Sequence, residues 1–318
     1  MPRANPLPTA PESPAWKPAA PQARGATKGL TSALVMGLVL LLAGCGSTHL
    51  TTEGAHGLTP QTSETRFGSL PRQTYTPPDW PEPLTAEVNL PETSGSALRP
   101  AALLVHGGGW QNRGLEDMTG IAEQLAARGF VTVNVEHRFA PEYRFPAQLH
   151  DLQQAMAWLH DNAEAWRVDP QRIVGVGFSS GAHLVSLLAL AEPSVGEPSP
   201  LAAVLAGGLP SDLFKFPDGR LVVEFLGGTR AEVPEQYALA SPARQVAPGA
   251  PPFFLFHGTW DRLVPLDHAT DFREALTAVG VDSELYLQHR RGHFLSFLTR
   301  GGAIHAGIDF LERQVNHE

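Results

Sequence analysis

The chain has 318 residues, 42% apolar and 17% charged, with a formal charge of −9, 31 glycines and one cysteine. That is enough apolar material for one large α/β core, and it excludes a disulfide-stapled scaffold, a low-complexity fibre and a basic nucleic-acid binder. No internal repeat is visible in it.

The first 28 residues carry seven prolines and four cations, Arg3, Lys17, Arg24 and Lys28, against the single acid Glu12. Leu30 to Ala43 follows as an almost unbroken apolar run of 14 residues. It is long enough for the hydrophobic region of a signal peptide and short of the ~20 residues of a membrane-spanning helix. The run ends in Leu42-Ala43-Gly44-Cys45, which resembles the lipobox of bacterial lipoprotein signal peptides. That resemblance implies a signal peptide over residues 1–44, acylation of Cys45 as the mature N-terminus, and a membrane as partner through that lipid. It implies an exported protein of the cell envelope. Gly46 stands where an aspartate resembles an inner-membrane retention signal, so in a two-membrane organism the periplasmic face of the outer membrane is expected.

Residues 45–65, rich in Ser, Thr, Gly and His, read as a flexible tether, about 25 Å in root-mean-square span for twenty residues. Residues 1–44 hold four cations and one acid, so the rest of the chain carries −12 against −9 for the whole, with Lys215 as its only lysine. The expected anchor is therefore the acyl chains and not a basic patch.

The remainder, 66–318, reads as one catalytic domain. Phe67 to Pro100 is dense in proline, and Leu84 to Leu90 alternates apolar and polar residues like an edge strand. Ala101 to Val105 reads as a buried strand running into His106-Gly107-Gly108-Gly109-Trp110. Consecutive glycines let backbone amides converge on one point, as an oxyanion requires, so Gly108, Gly109 and the Ser180 amide are the expected donors. His106 is expected to be a structural hydrogen-bonder. A helix over Glu116 to Arg128, a strand over Val131 to Val135 and a helix over Ala147 to Trp166 follow, the last with Leu149, Leu152, Ala155, Met156 and Leu159 at helical spacing.

The central motif is Gly177-Phe178-Ser179-Ser180-Gly181. An apolar run, Ile173 to Val176, precedes it and a helical pattern, Gly181 to Leu190, follows, which places Ser179 on a tight strand-to-helix turn where a nucleophile belongs. A Cβ at 177 or 181 is expected to collide with the adjoining strand or helix. The same stretch is no dinucleotide fingerprint, because G-x-G-x-x-G needs glycine at 180.

Leu201 to Leu205 reads as a strand and Gly207 to Ala250 as a long connection. From it Phe214, Phe216 and Phe225, together with Trp110, are candidates for a substrate pocket, and plain packing suits each of them equally. Phe253 to Phe256 is a strand, after which Asp261 fits the carboxylate that orients a catalytic histidine. Asp267 opens a helix to Val279 and reads as its N-cap. Asp282 to Leu287 is the last strand, His293 is expected on the loop after it, and a helix from Ile304 to Val315 closes the domain. His289 and His293 lie four apart without a third ligand pattern, so no metal is expected, and the chemistry needs no cofactor.

The runs His106 to Trp110, Glu136-His137-Arg138-Phe139-Ala140-Pro141-Glu142, Phe145-Pro146-Ala147 and Gly177 to Gly181 together resemble an α/β-hydrolase carboxylesterase. The group is that of the hormone-sensitive-lipase-like bacterial esterases and the small capless esterases of feruloyl or acetyl type, and the resemblance covers roughly residues 67–315. It implies a mostly parallel central sheet with helices on both faces and no large cap, and hydrolysis of short-chain acyl or aryl esters through an acyl-enzyme. The triad it implies is Ser179, Asp261 and His293, in the chain order that fold uses. Two departures stand out: Glu136-His137-Arg138-Phe139 where the group shows Asp-Tyr-Arg-Leu, and Ser180 where it shows alanine. Two other functions stay open here. The glycine loop also resembles that of kynurenine formamidases, which cleave an amide, and an idle member of the fold would serve as a lipid-anchored binding protein.

Overall fold

A computed structural model of the chain describes residues 46–51, 64–92, 97–190, 201–216 and 219–316. The apolar run Leu30–Ala43 and Cys45 lie outside the described residues. Among those described, no helix is long and apolar enough to cross a membrane.

The described strands form one ten-stranded sheet. They are β1 (Ser47–Leu50), β2 (Phe67–Ser69), β3 (Gln73–Thr74), β4 (Thr85–Pro91), β5 (Arg99–Val105), β6 (Val131–Val135), β7 (Val168–Phe178), β8 (Ala203–Gly207), β9 (Phe253–Gly258) and β10 (Ser283–Gln288). Their order is β1-β10-β9-β8-β7-β5-β6-β4-β2, with β3 also on β4. The six strands from β10 to β6 run parallel. Both faces of that block are covered, which is why β5, β8, β9 and β7 from Ile173 read as apolar runs and not as alternation. Ala101, Leu103 and Val105 of β5 point into one core with Leu152 and Met156, Val185 and Leu188, and Phe272 and Leu276. These come from helices α2 (Ala147–Asp161), α4 (Ser180–Leu190) and α7 (Asp267–Ala278). Ala102 and Leu104 point into the other core, with Met118 and Leu125 of α1 (Glu116–Ala127) and Ile304, Ile308 and Phe310 of α9 (Gly301–Asn316).

Four expectations change. The stretch read as a tether is in part a strand: β1 lies antiparallel to β10, with Ser47 opposite Gln288 and Leu50 opposite Leu285. Its polar side chains hid it, yet each is partnered. Ser47 Oγ accepts from the Tyr286 hydroxyl at 2.7 Å, Thr48 Oγ1 meets His289 Nε2 at 2.7 Å, and His49 Nε2 meets Glu284 Oε2 at 2.7 Å. β4 is not an edge strand either, since the short β2 and β3 pair along its outer side. Two- and three-residue strands carry no periodicity by which to find them.

The helix expected to reach Trp166 stops at Asp161 and resumes as α3 (Ala163–Trp166). At the break the Asn162 side-chain amide donates to the Trp158 carbonyl at 2.8 Å, the local competition with backbone bonding that Asn brings. Finally, Asp267 is no N-cap. Leu266 holds the N-cap position and Asp267 is the first helical residue of α7; its carboxylate sits 3.0 Å from Lys215 Nζ.

Candidate active site

Four loops leave the C-terminal ends of neighbouring parallel strands and meet above the sheet. The sharpest is the turn from β7 into α4. Ser179 is held at φ 55°, a left-handed backbone that a serine rarely adopts, and its amide donates to Gly207 O at 2.7 Å. The two flanking glycines are demanded by close approach. A Cβ on Gly177 would stand 2.5 Å from the Gly181 carbonyl, and one on Gly181 would stand 2.1 Å from Val105 O. The collisions expected at both positions are therefore with the start of α4 and with β5.

Asp261 sits on the loop after β9. Its Oδ1 accepts the amides of Leu263 and Val264 at 3.0 and 2.9 Å, which turns Oδ2 toward His293. His293 differs from expectation in one respect: it is not on an open loop but is the first residue of a short helix, α8 (His293–Leu298), with Gly292 at the N-cap position. Its Nδ1 lies 2.6 Å from Asp261 Oδ2, so that nitrogen carries the proton. The free Nε2 then receives the Ser179 hydroxyl at 2.9 Å. Burial pushes the Asp261 carboxyl up, but the hydrogen bond and charge of His293, with the Val264 amide and nearby His257, hold it below its ordinary value. The structure thus brings Ser179, Asp261 and His293 together and leaves Asp267 with Lys215.

The glycine loop after β5 lies against the serine. A Cβ on Gly107 would stand 3.0 Å from Phe178 O and 3.3 Å from Ser179 Cβ, and Gly108 and Gly109 have φ of +123° and +63°. Such left-handed backbone is open to glycine at little cost. Ser180 opens α4, and its hydroxyl is buried without a partner. His106 is buried, faces its neighbour's carbonyl, Gly107 O, through Nδ1, and stacks on His137 at 4.7 Å.

The pocket candidates fare differently. Trp110 is 4% exposed, Phe225 is fully buried, and their rings stack at 4.5 Å, so both are packed into the core. Phe214 lies under the Arg244 guanidinium at 4.1 Å, and Phe216 stacks on His268 at 4.7 Å; none of these partners is Ser179, Asp261 or His293. The apolar demand of packing α5 (Arg220–Leu226), the helix before α6 (Pro234–Leu239), onto the body took Phe225 inward.

Sequence reasoning missed three supports. Phe178 packs its ring 4.9 Å from His293, and Gly208 lies so close beneath that a Cβ there would stand 2.9 Å from His293 Cε1. His183, one turn along α4 from Ser179, accepts the Trp110 indole N–H on Nδ1 at 3.2 Å and donates from Nε2 to Ala240 O at 2.7 Å. The i, i+4 spacing from the serine was the available signal. The Glu136–Pro141 run proves structural: Arg138 forms a buried ion pair with Asp151, which also accepts from Trp80 Nε1. Among the described residues no group of three side chains is arranged to hold a metal, and His289 is engaged by Thr48.

An open, mostly parallel sheet, helices on both faces and a strained serine at a strand-to-helix turn define the α/β-hydrolase fold. Solved structures of that fold are similar to it: a truncated carbohydrate esterase from gut microbiota aligns with a TM-score of 0.68 at 22% identity, over 81% of this chain and 99% of that one. Esterase 2 of Thermogutta terrifontis aligns at 0.65 and 24% identity, over 76% and 94%. The chain belongs to the BD-FAE family, whose model matches residues 87–276 and so includes Ser179 and Asp261 but ends before His293. Among curated proteins, Esterase LipC of Mycobacterium tuberculosis is 32% identical over 59% of this chain and 51% of its own length. The isoprenylcysteine alpha-carbonyl methylesterase ICME of Arabidopsis thaliana is 28% identical over 66% and 54%. The chain spans about half the length of the curated relatives it matches.

Proposed function

We propose that this protein is a serine-dependent carboxylic ester hydrolase of short-chain acyl or aryl esters. One observation carries the reading: a single imidazole, that of His293, bridges Ser179 at 2.9 Å and Asp261 at 2.6 Å. The names of the curated relatives, esterases and carboxylic ester hydrolases, support it.

In the proposed mechanism Ser179 Oγ bonds to the ester carbonyl carbon while its proton passes to His293 Nε2. The imidazolium formed faces the Asp261 carboxylate, which also fixes the tautomer beforehand. The oxyanion is received by the amides of Gly108, Gly109 and Ser180. Collapse breaks the ester C–O bond, the leaving alcohol takes the proton from His293, and water enters by the same route in reverse to release the acid.

The test is a ladder of p-nitrophenyl esters, C2 to C12, with the full chain and its Ser179→Ala variant. A short-chain optimum is expected, with kcat lowered by about 10⁴-fold or more in the variant. Ser179-independent turnover overturns the assignment. Faster cleavage of N-formylkynurenine than of any ester makes it an amidase, and absent fluorophosphonate labelling makes it a binding protein.

The address is proposed on the sequence alone. Leu42-Ala43-Gly44-Cys45 after the apolar run supports acylation of Cys45 and export to the cell envelope, with the periplasmic face of an outer membrane as the destination. Incorporation of labelled palmitate, lost in Cys45→Ser, checks it; incorporation that persists in that variant refutes it.

A further inference from the structure

The loops bearing Ser179, Asp261 and His293 leave one edge of the sheet, and the start of β1 reaches that same edge. Because β1 runs antiparallel to β10, Ser47 stands opposite Gln288, at the end of β10 from which the loop to His293 departs. The Gly46 carbonyl accepts the His289 amide at 3.0 Å. His289 precedes His293 by four residues, at most about 15 Å of chain. Cys45 is bonded to Gly46, with the apolar run Leu30–Ala43 just before it. An anchor there leaves the body beside the catalytic residues and not at the far end of a long tether.

The surface at this edge is unusual for a chain in water. Of nine large apolar side chains exposed among the described residues, five are Trp260, Leu263, Phe294, Leu295 and Leu298, with Phe294 and Leu298 each 74% exposed and Trp260 64%. Phe294 and Leu298 are one turn apart on α8 with Leu295 between them, while His293 and Ser296 are buried. Trp260 joins them through its amide, which donates to Arg291 O at 3.0 Å. A cleft of about 550 Å³ opens there, lined by Thr259, Trp260, Asp261, Arg262 and Gly292.

Charge is also partitioned. No Asp or Glu occurs from Leu285 to Ile308, a stretch that holds Arg290, Arg291 and Arg300, and Arg262 is exposed on the neighbouring loop. The one acid of that loop, Asp261, is turned to His293. A body of net −12 therefore keeps a face that is apolar and cationic. Clustered exposed aromatic and leucine side chains edged by arginine are the chemistry of a surface that lies in the headgroup boundary of an anionic bilayer.

We propose that the catalytic edge docks on a membrane bearing anionic headgroups, with Trp260, Phe294, Leu295 and Leu298 in the headgroup–acyl boundary. Arg262, Arg290 and Arg291 lie over the phosphates, so that Ser179 meets esters dissolved in the lipid. The inference rests on the anchor proposed at Cys45.

The test reconstitutes the full acylated chain in vesicles of phosphatidylethanolamine and phosphatidylglycerol whose acyl chains are brominated near the headgroup. Trp260 is the indole in reach, so tryptophan quenching is expected in the wild type and is expected to be largely lost in Trp260→Phe. Quenching that is equal in the two, or absent in a vesicle-bound chain, overturns the docking and leaves the anchor and the ester hydrolysis standing. A chain that vesicles do not retain overturns the anchor and the docking together. Absent quenching with sedimentation as a dimer assigns the patch to a second copy instead.

Leu295→Ser/Leu298→Ser adds a functional readout. It is expected to keep turnover of soluble p-nitrophenyl acetate within about twofold and to lose about tenfold on p-nitrophenyl hexanoate partitioned into the same vesicles. Equal losses on both esters count against docking.

Discussion

Two buried imidazoles, His183 one turn along α4 from Ser179 and His293 hydrogen-bonded to Ser179 itself, are put to opposite uses. His293 has a carboxylate on Nδ1 and a hydroxyl on Nε2; His183 has an indole donor on Nδ1 and a carbonyl on Nε2. A proton arriving at His293 Nε2 creates a cation that Asp261 already faces. A proton arriving at His183 Nδ1 must break the Trp110 bond and leave a charge in an apolar interior, and burial lowers that group to about 4, the Ala240 carbonyl offsetting only part of it. What separates a proton carrier from a structural strut is thus the acceptor or donor character of each partner, and not burial, which the two share.

The sharpest way to break the contrast is to remove the carrier. His293→Ala is expected to lower kcat on p-nitrophenyl acetate by about 10⁴-fold or more with the fold intact. Loss of less than tenfold would place the general base elsewhere. Asp261→Asn follows, at about 10³ to 10⁴-fold, because the tautomer is no longer fixed. Asp267→Asn, which loses only a half-exposed pair with Lys215, is expected to change kcat less than twofold and stability by no more than about 1 kcal/mol.

His183→Ala is expected to act on stability first. It strips the Trp110 indole of its acceptor and opens a cavity, at a cost of about 2–4 kcal/mol in urea unfolding, while kcat falls by only about tenfold through the loosened glycine loop. A variant as stable as wild type would deny the strut role.

A pH series sharpens the same comparison. His183 is below its unfolded value, so the unfolded chain takes up a proton first as pH falls below about 6.5. Stability is complete above that pH and is lost between about 6.5 and 4, on the order of 2 kcal/mol by pH 5 from this residue alone. His268, also lowered to about 4 by burial and then by the Lys215 charge, and His137, lowered to about 3 by burial and then by His106, add in the same direction. Urea midpoints at pH 7.5 and pH 5 measure it. Equal midpoints would mean that water reaches these rings.

Much of the site was legible because its demands are local. Ser179 and its glycines sit within five residues, and the conflict that each Cβ would meet, Gly181 against Val105 O for instance, follows from any tight strand-to-helix turn. Asp261 was separable from Asp267 by its place just past β9. The pocket was not legible: Phe214, Phe216, Phe225 and Trp110 are alike as apolar residues on a connection, and only their packing shows that Trp110 and Phe225 are interior.

By itself, then, the sequence determined the alternation of strand and helix, the strained serine turn and the order Ser179, Asp261, His293, since each rests on apolar runs and on backbone sterics over a few residues. The tertiary structure alone decided that Ser47–Leu50 is a strand of the sheet and that Trp110 hangs from His183. It also decided that the chain's entry, its arginines and its exposed aromatic side chains share the catalytic edge. Those facts depend on partners tens to hundreds of residues apart, such as Ser47 and Gln288. A hydrogen bond across that distance leaves no period, no cap and no spacing in the sequence at either end.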